Sequence, residues 1–243
     1  MLVILGLAAA TVSSQPITAV PNNVRASTTL QSITSGGEWN NNEVLYGIPM
    51  PPGKVVGDGY LNKNWMISSI LLYQDDKLLE GYPVRYDIML DELEVKGKSG
   101  VKVLEGPKVK SFSLVDSISG RPKFYVNAME YKMEDNTPLV GFFEVLADGT
   151  LPLFGKPTVA VKRANYSVHF DVGTRDDQIL KSYDYYTSHD GVVFPVPTSN
   201  RKLLALFGDK ASAVNKFIRI NSLSTGDPFH LARIFQYYND LAK

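Results

Sequence analysis

Four carboxylates crowd one short stretch of this chain, Asp87, Asp91, Glu92 and Glu94. Two carboxyl groups held roughly 5 to 9 Å apart can share acid and base roles across a glycosidic bond. Here the pattern favours a plainer use. Asp87 alternates with Tyr86 and Ile88 as a solvent-facing strand residue would, and Asp91-Glu92 falls where a turn is expected. A hard cation wants clustered oxygens, but neither Asp75-Asp76 nor Asp176-Asp177 has the spacing or glycine of a calcium loop. The three histidines, His169, His189 and His230, are far apart, without the i, i+4 pair of a helical metal site. No G-x-S-x-G occurs to mark a nucleophile, although triads are spatial and need no motif. Gly53, Gly57 and Gly59 do not follow a strand and open a helix, so a phosphate cradle fails on context. The expectation is no catalytic residue, no metal and no cofactor.

Aromatic residues are more suggestive, with 13 Tyr and 11 Phe. Tyr183, Tyr185 and Tyr186 crowd one strand, and strict alternation puts the first two on one face and Tyr186 on the other. Such ladders serve sheet cores more often than ligand platforms. These three tyrosines are nevertheless the best candidates for a binding surface.

The elements around them are legible from punctuation. Leu2 to Val12 is an uncharged apolar run of signal-peptide length, and Val12-Ser13-Ser14 offers small residues for cleavage before Gln15. It is too short to span a bilayer. No Lys or Arg precedes it, which leaves room for a start upstream of Met1. Residues 1–14 thus read as a signal, and 15–42, rich in Ser, Thr, Asn, Gly and Pro, as a leader with one short strand around Thr28 to Ile33. Residues 43–197 carry short β-prone runs divided by turns, among them Ala147-Asp148-Gly149 and Ser188-His189-Asp190-Gly191. Roughly ten to twelve strands at near-regular spacing predict an antiparallel meander, an open barrel or a sandwich. Residues 198–243 switch to helical period. Ser199, Asp209 and Asp227, the last followed by Pro228, predict N-caps of three short helices that must pack on the β body.

Composition bounds the partners. Cysteine is absent, which removes disulfides and thiolate ligands. The 25 basic and 25 acidic residues cancel, so no basic excess favours nucleic acid. No transmembrane span is expected in the mature chain.

Residues 45–243 resemble a group of uncharacterised exported proteins of Bacteroidetes-type bacteria. The resemblance rests on the tail, from Arg201-Lys202-Leu203-Leu204-Ala205-Leu206-Phe207-Gly208-Asp209-Lys210 to Ile234-Phe235-Gln236-Tyr237-Tyr238-Asn239. It rests also on Tyr82-Pro83-Val84-Arg85-Tyr86-Asp87, Gly141-Phe142-Phe143-Glu144-Val145-Leu146 and Tyr185-Tyr186. It implies export, to the periplasm or beyond the cell, and this architecture; it carries no chemistry. The functional expectation is a non-catalytic envelope or secreted binding module. A carrier of an apolar small molecule in a barrel-like cavity is the alternative, and a secreted hydrolase the third reading.

Overall fold

The computed structural model describes residues 53–115, 120–167, 170 and 172–243. The signal at 1–14, the leader at 15–42, the strand around Thr28 to Ile33 and His169 lie outside the described residues. The chain divides into two compact units, 54–164 with 175–243, and 1–53 with 165–174. In the second unit, Asn165 and Thr174 close a hairpin, with a backbone bond of 2.9 Å and the Asn165 amide oxygen accepting from the Thr174 N–H.

The first unit is mainly antiparallel β with three C-terminal helices. In chain order the strands are β1 (Val55–Val56), β2 (Met66–Leu72), β3 (Leu78–Asp87), β4 (Glu92–Gly97), β5 (Gly100–Glu105) and β6 (Val109–Val115). They continue as β7 (Pro122–Asn127), β8 (Lys132–Met133), β9 (Phe142–Ala147), β10 (Leu153–Lys162), β11 (Asp177–His189) and β12 (Val192–Pro195). The helices are α1 (Asn200–Leu206), α2 (Ala211–Ile220) and α3 (Pro228–Leu241). One sheet runs β5-β4-β3-β2-β6-β7-β9-β10-β11-β12-β8, with β1 paired in parallel to β11. Among the described residues no helix is long and apolar enough to cross a membrane.

The sheet is open, yet it curls. Neighbouring strands lie about 4.8 Å apart, so β2 and β11, five places apart, would be about 24 Å distant in a flat sheet. Met66 of β2, Leu114 of β6, Tyr125 of β7 and Tyr183 of β11 instead line one small space. Residues 54–62 run across that opening. Val55 and Val56 pair with β11, Lys181 holds Asp58 at 2.9 Å, and Tyr60 bridges to Asp87 at the end of β3.

Alternation decides the cores. Phe142 faces the inside of the curl, where Tyr86, Phe112 and Tyr125 pack with ring centroids 4.7 to 5.7 Å apart. Phe143, one residue on, faces away, stacks with Phe154 and meets the tilted ring of Tyr186 beneath the segment that carries Ala128, Tyr131 and Leu139. The helices form a third core, in which Leu203, Phe207, Val214, Leu231, Ile234 and Phe235 pack on Ala147, Leu151 and Leu153. Each helix buries one apolar stripe, and none is long enough to persist unaided.

Asn239, in the last turn of α3, fixes this cap. Its amide accepts from the Leu151 N–H and donates to the Leu151 carbonyl, both at 2.9 Å, across 88 residues of sequence. Gly149, at φ 144°, leaves room for it: a Cβ there would lie 2.5 Å from the Asn239 Cγ.

Several local expectations change. The expected strands from Leu151 and from Thr158 merge into one, Leu153–Lys162, because β11 pairs along its whole length, while β9 pairs only with Leu153–Gly155 and the rest of that edge has no partner among the described residues. Pro157, which lacks an N–H, is tolerated where no ladder needs one. The stretch before Tyr82 also belongs to β3, with a bulge at Gly81 (φ 75°) resetting the register. Ser199 and Asp227 cap α1 and α3 as expected, accepting from the amides of Lys202 and His230. Asp209 does not cap α2. Gly208, at φ 50°, starts a tight turn through Lys210 that places Asp209 inside the turn, where it pairs with Lys210.

Candidate functional site

The carboxylates of the β3–β4 corner separate in space. Asp87 Oδ1 accepts from the amides of Met89 and Leu90, at 2.9 and 3.2 Å, and so builds the turn. Glu94 sits on the next strand and takes two hydrogen bonds from Arg85, at 2.5 and 2.8 Å, and one from the Tyr60 hydroxyl at 2.8 Å. Arg85 is sandwiched between the rings of Tyr60 and Trp65, 4.2 and 4.4 Å from their centroids. Partial burial works to raise the Glu94 pKa, but these donors outweigh it and hold the carboxyl below its usual range.

Asp91 is placed differently. It occupies a left-handed position at φ 53°, which Asp tolerates better than most residues. Its backbone carbonyl accepts from the Gly106 N–H at 2.8 Å, and its carboxylate lies against Gly106, where any Cβ would overlap both oxygens. One side-chain donor reaches it, the Tyr86 hydroxyl at 2.9 Å. Burial, then the neighbouring Asp91 charge, raises the Tyr86 pKa far above that of a free phenol. Gly141 lets the chain pass close, since a Cβ there would stand 3.1 Å from the Tyr86 oxygen.

This corner opens into a cleft of about 280 Å³. Ile88, Met89, Val140, Pro157 and Val159 give it an apolar lining, Asp91 supplies a carboxylate, and Lys156 and Thr158 border it along the edge of β10. Met89 and Val140 are 45% and 61% exposed, an apolar rim around a carboxylate. Neither Asp91 nor Lys156 makes an ion pair with a described residue. Ligand sites are typically concave, mostly apolar and furnished with a few convergent polar groups, at about 300 Å³ and upward. At about 280 Å³ this cleft lies just below that range.

The tyrosine candidates do not gather in one place. Tyr183 faces the inside of the curl, where its hydroxyl donates to Glu144 at 3.2 Å. Tyr125 donates to the same carboxylate at 3.4 Å and Lys123 pairs with it at 3.0 Å. Glu144 is 5% exposed, so a buried charge is met by three donors. Tyr185, on the same face, packs among the helices. Tyr186 points the other way into the Phe143 core. Burial raises the pKa of all three, assisted for Tyr183 and Tyr185 by the Glu144 charge and for Tyr186 by Asp184.

The remaining candidates serve local structure. Asp76 pairs with Lys110, the Asp176 carboxylate accepts from the Lys54 amide, and Asp177 holds Arg163 and the Ala164 amide. His189 stands at the exposed end of β11 beside Asp190, and His230 Nδ1 accepts from the Ser224 amide. Among the described residues no three His, Asp or Glu side chains lie close enough to hold a metal. Sequence reasoning missed Lys156, Gly106 and Glu144 as partners in these sites. The acid at position 91 and the glycine at 141 were visible, but nothing local brings β10 to the β3–β4 corner. No protein-family model, curated protein or solved structure matches the chain.

Proposed function

We propose that this chain is an exported, non-catalytic binding module that takes a small ligand in the Asp91 cleft. The observation that carries the reading is a carboxylate with a single side-chain donor among the described residues, seated between two glycines and rimmed by exposed Met89 and Val140. A carboxylate can accept about four hydrogen bonds, so most of its capacity is left for a ligand. Export and kinship with the Bacteroidetes-type group belong to the same proposal. Exported material should begin near Gln15.

The carrier of apolar ligands has less support. The space inside the curl is about 110 Å³, and the aromatic rings of the core fill the rest. That volume is far below what a lipid-like ligand needs. A hydrolase has less still, because Asp87 and Glu94 are engaged in a turn and an arginine pair.

The test is a fragment library screened by amide chemical-shift mapping on the full chain, with a hydrolase panel beside it. Fragments that shift Asp91, Val140 and Val159, and lose that effect in Asp91→Asn, are the expected result. A library that leaves those amides unmoved defeats the reading, as does a turnover that Asp91→Asn abolishes while melting is unchanged.

A further inference from the structure

One edge of the sheet stays open beside the Asp91 cleft. β9 pairs with β10 only at Leu153–Gly155, so from Lys156 to Lys162 that side of β10 has no strand against it among the described residues. The ladders decide which groups face out. The Val196 N–H bonds the Tyr185 carbonyl at 2.8 Å, so Tyr185 turns its backbone to β12 and its neighbour Asp184 turns to β10. In register, Asp184, Ser182 and Leu180 meet Lys156, Thr158 and Ala160, whose N–H and C=O groups are thereby taken by β11. The residues between them, Pro157, Val159 and Val161, point theirs to the open edge. Pro157 has no N–H, which leaves the two valines as the donors there. An open strand edge is a template for another strand.

The cleft lies against this edge. Pro157 and Val159 line it together with Asp91, Met89 and Val140. Residues directly opposite in a ladder share a face. A side chain opposite Val159 on an added strand therefore enters the cleft. The carboxylate there has the Tyr86 hydroxyl as its one side-chain donor among the described residues, so charge complementarity selects a cation.

Resting on the binding reading above, we infer that the ligand is an extended peptide that adds antiparallel to β10 and lowers a lysine or arginine onto Asp91. Its backbone pairs with Val159 and Val161, and its basic side chain completes the hydrogen bonds of the carboxylate. An apolar residue two places before the basic one lies beside Val161, which is 43% exposed. Main-chain bonds give such a complex its affinity, and the pocketed side chain gives it sequence preference.

The experiment titrates the full chain with acetyl-Ser-Val-Thr-Val-Thr-Lys-Thr-amide. It follows heat, the amide shifts of Asp91 and Val159, and hydrogen exchange at Val159 and Val161. Saturable binding that slows exchange at both valines is expected. Norleucine in place of the lysine should weaken binding about tenfold or more, because a charge-assisted hydrogen bond is lost. Asp91→Asn should weaken the lysine peptide by a similar factor and leave the norleucine peptide unchanged. Val161→Pro should weaken both peptides, since it removes an outward donor and no bond to β11. N-methylation of the peptide at the lysine and at the valine before it should do the same with the chain untouched. Equal binding of the lysine and norleucine peptides overturns the inference, as does equal binding of the N-methylated peptide. A chain that self-associates and becomes monomeric in Val161→Pro has a second copy on this edge, which overturns it too. Fragments that shift the cleft amides while the peptide does not sink the added strand and leave the binding reading standing. A cleft that answers to nothing sinks both.

Discussion

Glu144 and Asp91 sit on the same curled sheet and face opposite fates. Glu144, 5% exposed, meets Lys123, Tyr125 and Tyr183. Asp91, half-buried, meets one tyrosine and then open space. The fold surrounds a charge it must bury with donors, because an unmet buried charge costs several kcal/mol. It leaves unmet only the charge that water, or a ligand, can reach. A completed hydrogen-bond set marks architecture, and an incomplete one leaves capacity free. Glu144 is a few residues from a turn and Asp91 lies within one, and composition alone ranks them equally.

The comparison breaks or sharpens in graded ways. The largest effect should come from a fully satisfied group. Asn239→Ala strands the N–H and carbonyl of Leu151 in a buried site and should cost about 3 kcal/mol in urea unfolding. A loss under about 1 kcal/mol would show that water repairs the break. Glu144→Ala should cost about 2 kcal/mol, since two tyrosine hydroxyls lose their acceptor while half-exposed Lys123 turns to solvent.

Next comes alkaline pH. Burial, and then the Glu144 charge, raises the Tyr125 and Tyr183 pKa values above the ordinary 10.0. Above that value the unfolded tyrosines lose protons while the folded ones keep them. The folded chain then binds more protons, so stability is complete below pH 10.0 and falls as pH rises beyond it. Urea midpoints measured through that range should drop, and Glu144→Gln should make the drop shallower. A flat profile would deny these tyrosines their buried environment.

The smallest effects belong to the incomplete sites. Asp91→Asn should change stability by about 0.5 kcal/mol or less, whatever it does to binding. A loss comparable to that of Glu144→Ala would place Asp91 among the structural groups. Ser68, 1% exposed, has a hydroxyl with no partner among the described residues. Its replacement by Ala should be neutral or gain about 0.5 kcal/mol, because a buried unpaired hydroxyl is a penalty. Destabilisation there would reveal a partner held through water.

Much of the scaffold was legible because its rules are local. Alternation through Val84 and Tyr86, the Asp-Gly turns, and the caps at Ser199 and Asp227 depend on neighbours within four residues. Pro157 misled for the same reason: a proline in mid-strand is permitted only by a free edge, and edges are decided by distant pairing. Asp209 reads as a cap until the left-handed Gly208 is known to tighten the turn. The cleft was illegible in principle, since Asp91, Gly141 and Lys156 converge only when six strands curl. The tyrosine trio illustrates the limit of period alone: it separates Tyr186 from the other two but not a ring in a core from a hydroxyl on a carboxylate.

Asn239 lies 88 positions beyond the hairpin it completes. A ribosome delivers the chain from its N-terminus, so Leu151 emerges long before the side chain that satisfies it. Until α3 has left the exit tunnel, the β9–β10 corner and its apolar neighbours have no cover. The molecule is thus built to finish late: every strand of its sheet precedes the helix that covers this corner.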